Sequence, residues 1–418
     1  MKVLFLTIGS FPSIEDHEMY PDLMREFLRH GHSVYVVCAR ERRMRVPTIY
    51  VKENGAHILK VKIGNITKTN IVEKGISTIL IERLYLAAIK KHFKDIKFDL
   101  VIYPTPPITL CGVVDYIKKR DHARTYLLLK DIFPQNAVDL GMMVTFGWKS
   151  IIYRYFRKKE KKLYRVSDKI GCMSSANVEY VLKHNIEVRK RDDEERKQNG
   201  RGIIEVCPNC VEITDTSISK EEGIKIRKKY NIPPDKTVFI YGGNLGRPQG
   251  IEFMLKCLHS QRKNDEAFFL IVGNGTEYGS VKRYVDKYKS KNIALHQWIP
   301  TNEYEKVVAA CDVGMIFLDY RFTIPNFPSR LLSYLSAKLP VLAVTDRATD
   351  VGKVIVENGF GWWCGSNKVD DFGKMISLAC NADRKEIGLA GARYLVDNYT
   401  TERSYEIIVK DNVSVECR

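Results

Sequence analysis

The chain lacks the long apolar runs, the low-complexity tracts and the leader signals that define several classes of protein. No stretch reaches the ~20 apolar residues that a membrane-spanning helix needs. The apolar run at the start is broken by Gly9 and Pro12, which makes it too short for the apolar core of a secretory signal. The sequence therefore predicts attachment to a membrane that is at most peripheral.

Metal-binding and disulfide frameworks are also missing. Ten cysteines are scattered over 418 residues, and the one close pair, Cys207 and Cys210, has neither a second CxxC pair nor paired histidines to complete a zinc site. No Asp-x-Asp metal motif stands out. Unpaired thiols are typical of a reducing compartment, so we expect a cytoplasmic protein.

What is present is the composition of a globular protein, with 44% apolar and 28% charged residues. The length predicts two domains of roughly 200 residues each. The formal net charge is +17, and the first 200 residues carry nearly all of it, with 37 Lys and Arg against 23 Asp and Glu. Such a surface suits nucleic acid, anionic lipid or a phosphorylated substrate, or is simply a solvated basic face.

Alternating strand and helix patterns predict an α/β fold with parallel sheets in both halves. The opening βαβ unit runs from KVLFLTI to SVYVVCA, and a second array begins at VFIYGGN. We predict a Rossmann-like domain over residues 1–205, a second over 206–400, and a C-terminal segment, 401–418, that returns to the first domain in one interpretation. The charged stretch 187–202 is predicted to be a solvated loop or disordered insertion. Ligands of such sheets bind at the carboxyl ends of strands, which places the expected site between the two halves.

Two glycine turns in the second half are the strongest chemical signal. YGGNLGRPQG, residues 241–250, follows a strand and precedes a helix, and IVGNG, residues 271–275, comes one βα unit later. Glycines allow close backbone approach to a diphosphate, and Arg247 could add a charge-assisted bond. A tight strand-to-helix turn is the structural alternative.

With these motifs the chain resembles family 4 glycosyltransferases, which have the GT-B fold. The resemblance also rests on PNCVE at 208–212 and FPSRLLSYLSAKLPVLAV at 327–344. In the first half, YPTPP at 103–107 and LLKDIFPQNAVDLGMM at 128–143 are similar to the bacterial capsule and O-antigen branch, including amino-sugar transferases of the L-fucosamine type. The resemblance implies a nucleotide-diphosphate sugar as co-substrate, no separate cofactor, no metal, and a retaining reaction.

The sequence departs from the family at positions that matter for chemistry. Asn244 and Gln249 stand where members commonly have Arg and Lys, so Arg247 is left as the cation expected at the diphosphate. Pro325 and Ser333 stand where members commonly have two glutamates that face the donor sugar and the ribose. These departures put the identity of the sugar in doubt and, to a lesser degree, activity itself.

The candidate site residues follow from these matches. On the donor side we expect the two turns together with residues at the start of a helix and in the TDRATD loop. They are Gly243, Asn244, Arg247, Gln249, Gly273, Asn274, Gly275, Ser329, Arg330, Ser333, Asp346 and Asp350. Ser329 is expected to act as an N-cap or phosphate donor with Arg330 beside the diphosphate, and ordinary capping with a surface salt bridge is the alternative. Asp346 and Asp350 are expected to bind hydroxyl groups of the donor sugar, and turn-forming aspartates are the alternative.

On the acceptor side, Lys130, Asp131 and Gln135 follow an apolar strand. Asp131 is the candidate to accept the proton of the acceptor hydroxyl, with Lys130 beside it. A turn-forming aspartate is the alternative. His17 and Glu18 lie in the first βα loop, where a solvent-facing histidine is expected.

The stretch WKSIIYRYFRKKEKKLYR, residues 148–165, combines aromatic and basic residues at helical spacing. We predict that its apolar side touches anionic lipid headgroups near a polyprenyl-diphosphate acceptor. The apolar side comprises Trp148, Ile151, Ile152, Tyr155, Phe156 and Leu163. A core-packed helix with a solvated basic face is the alternative.

The sequence therefore predicts a glycosyltransferase that moves a sugar, an N-acetylated deoxy sugar being one candidate, from a nucleotide diphosphate to a lipid-linked glycan. The expected setting is bacterial surface polysaccharide assembly at the inner face of the cell membrane. Three alternatives stay open at this point: a nucleotide-sugar epimerase of the same fold, a partner protein that has lost turnover, and a nucleic-acid binder. The last has no recognisable nucleic-acid motif to support it, so no nucleic-acid partner is expected.

Overall fold

The computed structural model describes residues 1–67 and 69–410. The chain forms two compact units, Met1–Glu212 together with the segment from Thr401 onward, and Ile213–Thr400. The division follows Glu212, whereas the sequence placed it after residue 205. None of the described helices combines the length and the apolar character required to cross a bilayer.

The first unit is built on an eight-stranded sheet within the described residues, with the order β3-β4-β2-β1-β5-β6-β7-β8. Seven strands are parallel, and β3 pairs antiparallel with β4 at the edge, which the sequence analysis did not predict. The strands are β1 Lys2–Leu6, β2 Ser33–Glu41, β3 Ile49–Glu53, β4 Ala56–Ile63, β5 Leu100–Pro104, β6 Arg124–Leu129, β7 Lys169–Cys172 and β8 Ile204–Val206.

Helices cover this sheet. They are α1 Met19–Arg29, α2 Ile71–His92, α3 Cys111–Asp121, α4 Gln135–Asp139, α5 Ser150–Val166, α6 Ser175–His184, α7 Ile186–Asn199 and, after the second unit, α16 Thr401–Val409. The last helix packs on α1, where the Tyr405 ring stacks on His30 at 3.9 Å and meets Phe27 edge-on at 4.9 Å. The end of the described chain is therefore part of the first unit.

The charged stretch predicted as a loop or disordered insertion is helical, so that prediction is wrong. Residues 186–199 form α7, which ends at Gly200 with φ of +72°. Its Glu, Lys, Arg and Gln residues are good helix formers, although they show no apolar periodicity. Val188 and Asp192 are buried, and the Asp192 carboxylate accepts a hydrogen bond from the Ile204 amide at 3.0 Å, which ties the helix to β8.

The second unit has a six-stranded sheet within the described residues, with the order β11-β10-β9-β12-β13-β14, and every pairing is parallel. The strands are β9 Thr237–Gly242, β10 Ala267–Val272, β11 Ile293–His296, β12 Val313–Phe317, β13 Val341–Thr345 and β14 Gly361–Gly365. Strands β10, β12 and β13 are buried along their whole length, as expected for a sheet covered on both faces.

The helices of this unit are α8 Lys220–Lys229, α9 Ile251–Ser260, α10 Tyr278–Tyr288, α11 Thr301–Ala309, α12 Arg330–Ser336, α13 Val351–Glu357, α14 Val369–Asn381 and α15 Arg384–Asn398. Because the strands are parallel, all their carboxyl ends lie along one edge of the sheet. The loops that follow β9, β10, β12, β13 and β14 therefore share that edge, and they contain most of the predicted donor residues.

Candidate functional site

The first glycine turn leaves β9 and reaches α9 through a short 3₁₀ segment, Arg247–Gln249. Gly243 and Asn244 are exposed on it, and the Tyr241 hydroxyl donates to the carbonyl of Asn244 at 2.7 Å. Gly243 has φ of +128°, a conformation that side chains disfavour. The turn therefore presents its backbone to the surface at the carboxyl edge of the sheet.

The second glycine turn packs directly against the first. The Gly243 amide donates to Val272 O at 2.9 Å, and the Leu245 amide donates to Asn274 O at 2.8 Å. A Cβ on Gly273 would lie 1.9 Å from the Gly243 carbonyl oxygen. Glycine at 273 is thus required by the contact between the two turns, which is a structural role that the sequence analysis did not foresee.

Arg330 lies beneath the first turn. Its guanidinium carbon is 4.5 Å from the centroid of the Tyr241 ring, and its Nη2 would be 3.1 Å from a Cβ on Gly243. Within the described residues its Nη1 is buried and has no hydrogen-bond partner. A buried guanidinium with an unused donor beside an exposed backbone turn can bind an anion such as a phosphate.

The other polar residues of the first turn are used differently from the prediction. Gln249 Oε1 accepts from the Gly246 amide and from Asn244 Nδ2, both at 3.2 Å, so these two side chains brace the turn. Arg247 is exposed, and its Nε lies 3.9 Å from a Glu277 carboxylate oxygen. Arg247 is an exposed cation with a long ion pair to Glu277, whereas Arg330 is held under the turn against the Tyr241 ring.

Around α12, Ser329 occupies the N-cap position as predicted, but its hydroxyl makes no capping hydrogen bond. Its alternative role as a phosphate donor stays a prediction. Ser333 is exposed on the helix surface, and Pro325 is buried. Neither residue supplies the carboxylate that its position has in the family that the sequence resembles.

Asp346 and Asp350 follow β13. Asp346 is 3% exposed, and its Oδ1 accepts from the amides of Ala348 and Thr349 at 2.8 and 3.0 Å, which is the turn-forming role. Its Oδ2 is buried and has no hydrogen-bond partner among the described residues. Burial raises the pKa of Asp346 to about 6. Asp350 is half-buried and precedes α13.

In the first unit, Asp131 lies just past the carboxyl end of β6. Its carboxylate oxygens accept from Asn136 Nδ2 at 2.8 and 2.7 Å, and its amide donates to Thr105 Oγ1 at 3.1 Å. Burial raises the pKa of Asp131 to about 6, even though the hydrogen bond from Asn136 opposes the shift. The pKa of Asp131 is therefore close to neutral pH, as a general base requires.

The other acceptor-side candidates have separate partners. Lys130 Nζ donates to the carbonyl of Pro208 at 3.2 Å, and burial lowers the pKa of this lysine. Gln135 Nε2 donates to Asp139 Oδ1 at 2.8 Å. Asn136 and Thr105, which hold Asp131, were missed by the sequence analysis, although both lie within the motifs quoted there.

His17 and Glu18 are exposed in the loop after β1, as expected for solvent-facing residues. His17 Nδ1 is 3.9 Å from a Glu212 carboxylate oxygen, and Asp22 lies close by. The Arg25 guanidinium binds both carboxylates, at 2.5 Å from Asp22 and 2.6 Å from Glu212. This group is thus an ion-pair network in which an arginine neutralises the acids.

The aromatic and basic stretch is helical, and part of it is exposed. The side chains of Trp148, Ile151 and Ile152 are 79%, 66% and 59% exposed, and Tyr155 is also exposed. The prediction is wrong for the two remaining apolar residues. Phe156 is half-buried with its ring 5.0 Å from that of Phe133, and Leu163 is buried.

Comparison with solved structures identifies the architecture. Sucrose-phosphate synthase from Thermosynechococcus elongatus superposes with a TM-score of 0.73 at 13% identity, covering 99% of both chains. WaaG, a glycosyltransferase involved in lipopolysaccharide biosynthesis, superposes with a TM-score of 0.61 at 15% identity, covering 97% of this chain and 99% of that one. The chain has the GT-B fold. The predicted fold class is confirmed.

A third solved structure, HepE from Anabaena in complex with UDP, superposes with a TM-score of 0.65 at 12% identity over 99% of this chain and 100% of the other. In sequence, residues 223–388 match the family model described as "Glycosyl transferases group 1". The protein named Probable glycosyltransferase WbjE from Pseudomonas aeruginosa is 25% identical over 347 residues, 82% of this chain and 81% of WbjE. In sequence the chain is thus similar to group 1 glycosyl transferases over residues 223–388 and to one probable glycosyltransferase over most of its length.

The matched segment lies within the second unit of the GT-B fold. It contains both glycine turns, Arg330 and Asp346.

Proposed function

We propose that the protein is a glycosyltransferase that transfers a sugar from a nucleoside-diphosphate donor to a sugar acceptor carried on a lipid. The observation that carries the proposal is the buried Arg330 guanidinium, with an unused Nη1 donor, beneath the exposed turn at Gly243. This arrangement lies in the segment that matches the group 1 family model.

The donor diphosphate would bind where Arg330 and the first turn meet. A buried donor without a partner costs about 1–3 kcal/mol, and a phosphate oxygen would recover that cost with a charge-assisted bond. Arg247 adds a second cation from the solvent side. Both positive charges would stabilise the diphosphate as it leaves, when its negative charge grows.

Asp131 is the proposed general base for the acceptor hydroxyl. With a pKa near 6 it is mostly ionised at neutral pH, and it binds a proton more readily than an ordinary aspartate does. Asn136 and Thr105 hold it in one orientation. The proposed reaction is a retaining transfer, on the strength of the family resemblance and without the two glutamates that Pro325 and Ser333 replace.

The lipid part of the acceptor is proposed from α5 and the two residues before it, Trp148 and Lys149. Trp148, Ile151 and Ile152 are exposed, and Lys149, Arg154 and Lys158 are exposed basic residues of the same stretch. Exposed apolar side chains flanked by lysine and arginine suit the interface of an anionic membrane. A lipid-linked glycan, as in surface polysaccharide assembly, would be presented at such an interface.

The proposal is tested with a panel of nucleotide sugars and lipid-linked acceptors, with transfer and nucleoside diphosphate release both measured. Arg330→Ala is expected to lower kcat/KM by roughly 10- to 100-fold, since it removes a charged hydrogen bond to the leaving group. Arg393→Ala is the matched control, because Arg393 is an exposed arginine of the same unit paired with Glu386 at 3.5 Å.

Two results would contradict the proposal. If Arg330→Ala and Arg393→Ala have the same activity, the diphosphate does not bind at Arg330. If the free nucleotide sugar is converted to an isomer and no acceptor is glycosylated, the protein is an epimerase of the same fold.

A further inference from the structure

A cavity of about 340 Å³ opens at the carboxyl ends of β13 and β14. Asp346 and Ser366 line it, together with the aromatic side chains of Tyr320, Phe322 and Trp363. Its volume is at the small end of the range for ligand sites, about 300–1,000 Å³. The cavity is therefore suited to a single small ring and too small for a whole nucleotide sugar.

Two buried polar atoms belong to residues that line this cavity and have no hydrogen-bond partner in the described part of the chain. They are Asp346 Oδ2 and Ser366 Oγ, on residues that are 3% and 1% exposed. The Ser366 amide donates to Thr345 O at 2.9 Å, which holds Ser366 beside the strand end that carries Asp346. Buried polar atoms are nearly always paired, so two adjacent exceptions in one cavity indicate a ligand with hydroxyl groups.

The Trp363 part of the aromatic wall is fixed in place. Trp363 Nε1 donates to Thr345 Oγ1 at 3.0 Å, and a Cβ on Gly352 would lie 2.1 Å from Trp363 Cδ1, which shows how closely α13 packs on the ring. Phe322 is 5% exposed, and Tyr320 stands more open at 56%. An immobile aromatic surface offers contact area at little cost in conformational entropy.

The chemistry of the lining selects the ligand. A carboxylate and a hydroxyl accept hydrogen bonds from hydroxyl groups, while aromatic rings pack against C–H faces. A sugar ring presents both kinds of surface. An anion is disfavoured at the buried end of the cavity, because the Asp346 carboxylate would repel it. The two cations of the lining, Arg347 and Lys368, are exposed, so they do not neutralise that buried end.

The cavity is also within reach of the proposed diphosphate site. In the sheet order β9-β12-β13, the strand that ends at Asp346 is two strand spacings from the strand that ends at the first glycine turn. Two spacings are roughly 10 Å. The loop after β12 joins the two places, since the Asp319 amide donates to Pro248 O at 3.0 Å and Tyr320 and Phe322 follow in sequence.

We propose that this cavity binds one uncharged pyranose ring, the sugar of the donor, with Asp346 and Ser366 accepting its hydroxyl hydrogens and Trp363 packing on its face. This inference rests on the proposed function. It assigns the recognition of the donor sugar to residues of β13 and β14, in place of the two carboxylates that are missing at Pro325 and Ser333.

The test uses the intact protein and free monosaccharides, namely glucose, galactose, N-acetylglucosamine and L-fucose, with binding followed by saturation-transfer NMR. At least one sugar is expected to bind. Asp346→Asn should weaken that binding by roughly tenfold or more, since it removes a charged hydrogen bond. Ser366→Ala should weaken binding of the sugar by a smaller factor. This second variant tests the site if Asp346→Asn does not fold. Asp265→Asn, at a fully exposed aspartate of the same unit, is the matched control.

Nucleoside diphosphates are tested separately, with UDP and GDP as probes and Arg330→Ala as the variant. The inference is supported if a sugar binds and binds more weakly to Asp346→Asn, while the affinity for the diphosphate is unchanged in that variant. It is overturned if none of the four sugars binds, or if their binding is the same in Asp346→Asn and Asp265→Asn. If a sugar binds but neither diphosphate does, the proposed donor site is wrong. The bound sugar ring would then not be the sugar of a nucleotide donor.

Discussion

Asp131 and Asp346 share a physical feature, a pKa raised to about 6 by burial. A carboxylate in such surroundings costs folding free energy at neutral pH, because the ionised form loses solvation that the few hydrogen bonds do not replace. Groups kept at this cost are more common at functional sites than elsewhere. Both residues lie just past the carboxyl ends of parallel strands, where ligands of α/β sheets bind.

For Asp346 the cost of the buried charge can be measured as a change in the free energy of unfolding with pH. The folded-state pKa, about 6, lies above the unfolded value, so the stability is highest at low pH and is lost as pH rises through about 6. Asp346→Asn should therefore increase the free energy of unfolding at pH 8 by about 1–3 kcal/mol and change it little near pH 4. Urea denaturation at both pH values measures this. If the variant is equally stable or less stable at pH 8, the ionised Asp346 carboxylate does not destabilise the folded state.

For Asp131 the raised pKa should appear in catalysis. If Asp131 is the base, kcat/KM rises with pH through about 6, because only the ionised form accepts the proton. Asn136→Leu should move this rise to higher pH, since the hydrogen bond from Asn136 lowers the pKa of Asp131. Gln135→Leu is the neighbouring control, because Gln135 binds Asp139 instead. An unchanged profile in Asn136→Leu would exclude Asp131 as the titrating group.

At the scale of elements, α5 and α7 show what periodicity can and cannot predict. The exposed first turn of α5 agrees with its predicted apolar side, but on the same predicted side Phe156 is half-buried against Phe133 and Leu163 is buried. The helical pattern shows which residues lie on the same face of the helix. Which part of that face is buried depends on the elements that pack against the helix. In α7 no apolar periodicity exists, and the helix is held by the buried side chains of Val188 and Asp192 and by Arg191, which donates to Tyr164 O and Ser167 O. Composition cannot distinguish Asp192 and Arg191 from their exposed neighbours.

The exposed part of α5 gives a test of membrane contact. Replacing Ile151 and Ile152 with Ser should weaken binding to vesicles that contain phosphatidylglycerol by at least roughly tenfold, because two side chains that would enter the interface become polar. The fold should be unaffected, since both are exposed. Co-sedimentation measures the binding, with Ile224→Ser, exposed on α8, as the control. Equal binding of the variants would remove α5 from any membrane contact.

At the scale of the whole molecule, the chain leaves the first unit at Glu212 and returns to it at Thr401. The return is held by α16, where Tyr405 packs on α1 and its hydroxyl lies 2.8 Å from His32 Nε2. The final helix is therefore part of the folding unit that contains the proposed general base, although it follows the unit that contains the proposed donor site.

Tyr405→Ala should destabilise the first unit by about 2–4 kcal/mol, because a buried ring is lost and a void remains. Hydrogen exchange followed by mass spectrometry reads the two units separately. We expect faster exchange in peptides from α1 and β2, with little change in peptides from β9 and β10. Tyr288→Ala, at a more exposed ring of the second unit, is the control. Faster exchange confined to α16 would show that the helix docks without stabilising the rest of the unit.

The sequence by itself determined the α/β class, the two arrays of parallel strands and the positions of the glycine turns, because these follow from local periodicity and from the conformations that glycine allows. Only the tertiary structure decided that the turns pack on each other, that Arg330 lies beneath Gly243, and that Asp346 and Ser366 share a cavity. These pairs are separated by tens of residues along the chain. Their proximity depends on the order of strands in the sheet, which local patterns do not specify.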